Sequence, residues 1–355
     1  MISLHTYGQG NTDKMKKLLI FFVTALVGAG IYSCTKEGPQ GPPGEDGEDA
    51  NATCTQCHNF SDTLVARISQ YEHSQHATGS TVYENGVACA PCHTSQGFKE
   101  IIQTGDDSTA AVITDPAPIN CRTCHKIHET YTTADYALRY NSAIPLRIGG
   151  ILDLSGGSNN SNLCSKCHQP RMCFPWPDST FTQDSVYVTS DRFGPHHGTQ
   201  SAILAGLGAW ELSGSTGYAS SPHRDSLSCT DCHGSAAVGV AAGGHTLRMT
   251  WLSSGQEMEN TEPCQECHSG LGSFDFNGIQ TEIRALDDSL KSLLLTKGWI
   301  TSSDLLTVPR YYTKEQLQVI WNWFLVHNDR SYGVHNYRYS RDILRSGIDY
   351  VISIN

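Results

Sequence analysis

Six times between Cys54 and His268 the chain spells Cys-x-x-Cys-His, at Cys54–His58, Cys89–His93, Cys121–His125, Cys164–His168, Cys229–His233 and Cys264–His268. This spacing suits covalent attachment of a c-type haem. Cys54 and Cys57, Cys89 and Cys92, Cys121 and Cys124, Cys164 and Cys167, Cys229 and Cys232, and Cys264 and Cys267 supply paired thiols for thioether bonds to the porphyrin vinyl groups. His58, His93, His125, His168, His233 and His268 then reach the iron as proximal ligands. Zinc knuckles or disulfides account for paired cysteines but demand no histidine after every second one. The motifs therefore predict six haem c groups and a compartment outside the cytoplasm.

The second axial ligand decides the chemistry. An iron held by two imidazoles passes electrons and has no room for substrate, whereas an iron with one open axial position binds small molecules. Beyond the proximal set and His5, nine histidines remain for six irons: His73, His76, His128, His196, His197, His223, His245, His327 and His335. The distal set expected from local sequence is His76, His128, His197, His223, His245 and His335. His73 competes with His76, and His196 with its neighbour His197, so both pairs stay open at this stage. Gly243-Gly244 before His245 is expected to let backbone approach a porphyrin closely. His327 is read as packing or as a propionate contact. Met172, Met249 and Met258 are spare sulfur donors, and Cys173 is read as a buried bystander.

The elements that must position these ligands begin after a leader. Met15-Lys16-Lys17 followed by an apolar run to Ile31 reads as a signal peptide over residues 1–33, with Met15 as a candidate start. The run is shorter than the roughly 20 residues of a membrane span. Ile31-Tyr32-Ser33-Cys34 resembles a lipoprotein box, which implies a lipid on Cys34 and anchoring in the bacterial cell envelope. Residues 34–52 carry Gly38, Gly41, Gly44 and Gly47 at every third position and an acidic end, and read as an extended tether.

Residues 53–276 are expected to form the hexahaem region, short helices around each motif joined by long loops, with the haem stack as its hydrophobic core. Apolar residues make up only 38% of the chain, which favours that reading. Residues 277–355 look helical. Ile279, Ile283, Leu286, Leu290 and Leu293 share one helix face, Thr313 and Gln316 form a capping-box pattern, and a last helix starts near His335. The fold class expected is mainly α with extensive loops and a C-terminal helical hairpin that supplies one distal histidine, its apolar face against haem edges or another subunit.

The net charge of −11 disfavours nucleic acid as a partner, and haem propionates would add to it. Removal of residues 1–33 takes away Lys14, Lys16, Lys17 and Asp13 and leaves −13.

Several segments resemble those of multihaem cytochromes c: His128-Glu129 after the third motif, Gly194-Pro195-His196-His197-Gly198, Ser221-Pro222-His223 and Gly243-Gly244-His245. Ser331-Tyr332-Gly333-Val334-His335-Asn336 before a helix is similar to the C-terminal helix of cytochrome c nitrite reductase and its octahaem relatives. The resemblance implies distal-ligand roles for these histidines. It departs at one point: those reductases usually carry a motif ending in Lys at the catalytic iron, and here all six end in His.

The function expected is therefore electron transfer at the cell envelope, with no catalytic residue. Other redox proteins or extracellular electron acceptors are the expected partners, and assembly into a homo-oligomer or cytochrome filament is an alternative. An enzyme reducing nitrogen or sulfur oxyanions at one open haem is the competing reading.

Overall fold

The structure is a computed structural model that describes residues 54, 55, 58, 61–155 and 160–354. The expected signal peptide, the lipidation site Cys34, the Gly/Pro tether and Cys57 lie outside the described residues.

Five helices of ten residues or more stand among the described residues: α1 (Asp62–Glu72), α2 (Ser95–Thr104), α3 (Ile279–Thr296), α4 (Lys314–His327) and α5 (Tyr337–Ser353). Their boundaries follow from side chains that answer the free N–H groups of a first turn. Ser61 accepts from Leu64 N at 3.4 Å to start α1, and Thr94 accepts from Gly97 N at 2.9 Å to start α2. Thr313 and Gln316 form the capping box read from sequence at the start of α4, with bonds of 3.0 and 3.3 Å. Gly105 ends α2 at φ +83, a left-handed conformation that costs glycine least.

Strands are few and short. Antiparallel pairs join β1 (Ile144–Pro145) to β2 (Ile151–Leu152), β3 (Val186–Val188) to β6 (Arg310–Tyr312), and β4 (Thr250–Ser253) to β5 (Gln256–Glu259). The β3–β6 pair ties the loops after the fourth motif to the tail, with Tyr187 opposite Tyr311. The chain is thus mainly α with long irregular connections, in keeping with the class read from sequence.

The tail is more than the expected hairpin. Three helices, α3, α4 and α5, pack together and bury Ile283, Leu290, Leu294, Leu317, Ile320, Trp321, Trp323, Ile343 and Leu344 completely or nearly so. Helices α3 and α5 approach closely enough that a Cβ on Gly347 would lie 2.8 Å from Leu290 Cδ2, which is why a glycine sits inside α5. Helix α4 is apolar nearly all round, so it is covered on every side. Its one buried amide, Asn322, exchanges two bonds with the Trp210 backbone at 2.8 and 2.7 Å, and Trp321 Nε1 donates to Gly208 O at 2.8 Å. The apolar faces expected to meet haem edges or a second subunit are thus largely spent on one another and on the loop through Val188, Phe193, Ile203 and Leu212. A conventional side-chain core exists, and most of it belongs to the tail. A smaller cluster of Ile144, Leu146, Leu152, Leu154, Leu204 and Ala205 lies among the motifs.

Candidate functional site

Each described motif is wound as a single helical turn. The histidine N–H donates to the first cysteine's carbonyl at 2.8 Å in the first, third and sixth motifs, 3.2 Å in the second and 3.0 Å in the fourth, and Cys229–His233 is itself a helix. Residues three and four apart share one face of such a turn. In the second to sixth motifs the two thiols and the imidazole therefore share one face, as a group gripping one edge and one face of a flat ligand requires. Two turns are fixed by reciprocal caps from the residue before the first cysteine: Asn120 with Thr123, and Ser228 with Asp231.

Opposite each of the six motif histidines stands a second histidine from elsewhere in the chain. Ring centroids are 6.1 Å apart for His58 and His128, 6.2 Å for His168 and His76, 6.2 Å for His93 and His196, 6.2 Å for His125 and His245, 6.1 Å for His268 and His223, and 6.3 Å for His233 and His335. Two metal–imidazole bonds of about 2 Å, each extended by the roughly 1 Å from nitrogen to ring centre, sum to about 6 Å. The spacing is one at which the two rings of each pair would hold one iron between them. Zinc would ask for four converging protein donors. The described residues gather no group of three or more His, Cys, Asp or Glu side chains around one point.

Five of these partners, His76, His128, His223, His245 and His335, are the ones expected from sequence. The sixth is His196 and not His197. His196 adopts φ +68, a left-handed conformation uncommon for a side-chain-bearing residue, and its ring is thereby turned toward His93. His197, one residue on, has its carbonyl held by Gln200 Nε2 at 3.1 Å. His128 shares the left-handed conformation at φ +65. Its N–H donates at 2.8 Å to the buried carboxylate of Asp135, which also accepts from Thr130 and Tyr131. Left-handed side chains held by surrounding bonds recur at functional sites. Gly243 and Gly244 before His245 also approach protein closely. A Cβ on Gly243 would come within 2.4 Å of Ala236 O, and one on Gly244 within 2.4 Å of Gln70 Oε1.

The three remaining described histidines stand outside the pairs. His73 Nδ1 lies 2.8 Å from Ser69 O. His327 stacks on Trp323 and holds Asp287 at 2.9 Å, the packing role read from sequence.

Burial favours the neutral, metal-binding form at six of the paired rings, whereas at His335 burial is outweighed by the charge and hydrogen bond of Asp329, which raise the pKa. Burial pushes His76 down to about 4, with His168 adding to the shift. Burial likewise takes His196 to about 4, helped by Arg171, His197 and His93. His93, His168, His233 and His245 are lowered too, burial being the largest cause in each. Neighbouring groups fix several rings through Nδ1. His125 bonds Tyr136 O at 2.6 Å, His233 bonds Leu247 O at 2.9 Å, His223 bonds Val334 O at 2.9 Å, and His168 bonds Gln200 Oε1 at 3.2 Å. His335 differs in bonding the carboxylate of Asp329 at 2.6 Å. Sequence reading missed Gln200 and Asp329, because neither carries a local pattern that marks it as the support of a distant ring.

The motifs also touch one another. The Cys92 and Cys167 thiols lie near enough to shift each other's pKa, as do those of Cys164 and Cys229. Thr123 Oγ1 donates to Ser95 Oγ at 2.8 Å and joins the third motif to the residues after the second. Cys264 lies near enough to Cys232 to raise its pKa, beyond the larger effect of burial. The third motif thus sits beside the second, the fourth beside the second and fifth, and the sixth beside the fifth. Cys173, part-buried, has its thiol pushed up to about 12 by burial and is inert at neutral pH.

No protein family model and no curated protein matches the chain. A solved structure described as the outer cell wall cytochrome OcwA is similar over 80% of this chain and 50% of its own, at 17% identity and a TM-score of 0.48. The chain spans about half the length of that protein.

Proposed function

We propose that this protein is a hexahaem c-type cytochrome that carries electrons at the cell envelope. Cys54/Cys57, Cys89/Cys92, Cys121/Cys124, Cys164/Cys167, Cys229/Cys232 and Cys264/Cys267 hold six haems by thioether bonds. His58/His128, His93/His196, His125/His245, His168/His76, His233/His335 and His268/His223 ligate the irons in pairs. The single observation that carries this reading is the recurrence of one spacing, 6.1–6.3 Å, at all six motif histidines. A bound haem supplies a reversible one-electron couple at its iron. The chain's own part is to orient each ring, to set the iron's potential through the Nδ1 partners, and to bring neighbouring motifs into contact so that electrons pass between them.

Helix α1 supports the same reading. It carries Leu64, Val65, Ile68 and Tyr71 yet buries none of its residues in protein, and Val65 is 49% exposed. It packs beside the His245 segment, where a porphyrin plate would cover it.

Export by the leader, lipid attachment at Cys34 and a spacer over residues 34–52 place this conduit at the bacterial envelope, facing other redox proteins or extracellular electron acceptors. No described helix is long and apolar enough to cross a membrane.

Intact-mass measurement of the exported protein is expected to give the polypeptide plus six haems, and electron paramagnetic resonance of its oxidised form only low-spin ferric signals. A stoichiometric high-spin signal would overturn the conduit reading in favour of an enzyme with one open iron.

A further inference from the structure

We infer that Asp329 makes the haem of the fifth motif, ligated by His233 and His335, the most reducing of the six; this rests on the haem reading above. Asp329 Oδ1 lies 2.6 Å from His335 Nδ1, and its side chain is 1% exposed. Among the described residues, this is the one carboxylate bonded to any of the twelve paired rings; the other acceptors named above are neutral carbonyl oxygens. Its second oxygen is committed elsewhere, accepting from Ser331 N at 3.3 Å and from Ser331 Oγ. Ser331 Oγ in turn accepts the His335 N–H at 3.1 Å. The turn from Asp329 to His335 thus closes on itself and fixes carboxylate and ring together, with Arg330 and Tyr332 both in left-handed conformations at φ +59 and +50.

A buried carboxylate pulling on the Nδ1 proton raises the basicity of the ligating nitrogen. A more basic ligand, and a nearby negative charge, stabilise ferric iron over ferrous and lower the potential. Neutral carbonyl acceptors do this less. The fifth motif is not at an end of the array: Thr230 N donates to Ser161 Oγ at 3.2 Å beside the fourth motif, and the helix Cys229–His233 packs against the turn Glu262–Cys264 of the sixth. Transfer between those two oxidises one ferrous iron and reduces the next, and the fifth site is the uphill step between them. Asp329 is a positioning residue acting through His335 and does not itself touch iron.

The test is a potentiometric titration of the full exported holoprotein, followed by optical and paramagnetic resonance spectra. In Asp329→Asn one midpoint of the six, the lowest, is expected to rise while the other five hold and every iron stays low-spin. Ser331→Ala, which frees the carboxylate without removing it, is expected to move the same midpoint in the same direction by less. Asp329→Glu restores the charge and is expected to return that midpoint toward the wild-type value. With six low-spin haems confirmed in the variants, an unmoved lowest midpoint, or an even shift of all six, overturns the role of Asp329. Fewer than six low-spin haems in the wild type would instead overturn the haem assignment itself.

Discussion

Helices α1 and α4 are of similar length, and their fates are opposite. α4 buries nine of its fourteen residues against α3, α5 and the loop through Trp210, whereas α1 buries none of its eleven. Each side chain such as Leu317 or Ile320 fully withdrawn from water contributes about 1.5–3 kcal/mol. The tail therefore has a cohesion of its own that α1 does not share. The contrast teaches that, in the proposed reading, the chain combines two kinds of core. One is made of side chains, and the other is proposed to be made of covalently held porphyrins with polypeptide wrapped around them.

The largest effect is expected from removing one porphyrin. In Cys164→Ser/Cys167→Ser the fourth motif, which touches both the second and the fifth, loses its haem. Limited proteolysis should then speed up across residues 61–276 while α3–α5 stay protected. Equal protection in both regions would erase the contrast.

Opening a single iron is a smaller step. His196→Ala is expected to convert one of the six haems to high spin, with the haem count unchanged. His197→Ala should leave the spectrum as it is. The reverse outcome would return the sixth ligand to His197.

In the tail, Leu290→Ala removes a side chain with no exposure and is expected to cost about 2–5 kcal/mol in denaturant unfolding of the tail. The haem spectrum should stay intact. A matching loss of haem signal would mean that the two cores unfold as one.

The smallest expected effect is electrostatic. The hydrogen bond that His327 donates to Asp287 raises its pKa above the ordinary 6.5, against burial, and the charges of Asp287 and Asp304 add to it. A group whose pKa is raised by folding stabilises fully below its unfolded value and loses that contribution as pH climbs through its folded value. The tail should therefore soften as pH rises above 6.5, by about 1–2 kcal/mol for a charge-assisted bond whose ring is 31% exposed. In His327→Gln that slope should flatten. A wild type indifferent to pH in this window would remove the ion pair from the account.

Local sequence was a good guide where the interaction is local. The motif turns, the Thr313–Gln316 box and the face through Ile283 and Leu290 are all set by residues three or four apart. In the tail all three helices were legible, while their packing against one another, beyond the expected hairpin, was not. Composition averaged over the whole chain hid that packing, because the apolar residues are unevenly shared between the two regions.

What the sequence alone determined is the chemistry on offer: paired thiols, a histidine after each pair, and more spare histidines than six irons need. Those follow from residue type and short spacing. What only the tertiary structure decided is which histidine meets which. His76 crosses to His168, His245 to His125 and His335 to His233, and a left-handed backbone turns His196 instead of His197 toward His93. Those pairings depend on where long loops return, and that is fixed by packing against elements far off in the chain, which no window of sequence contains.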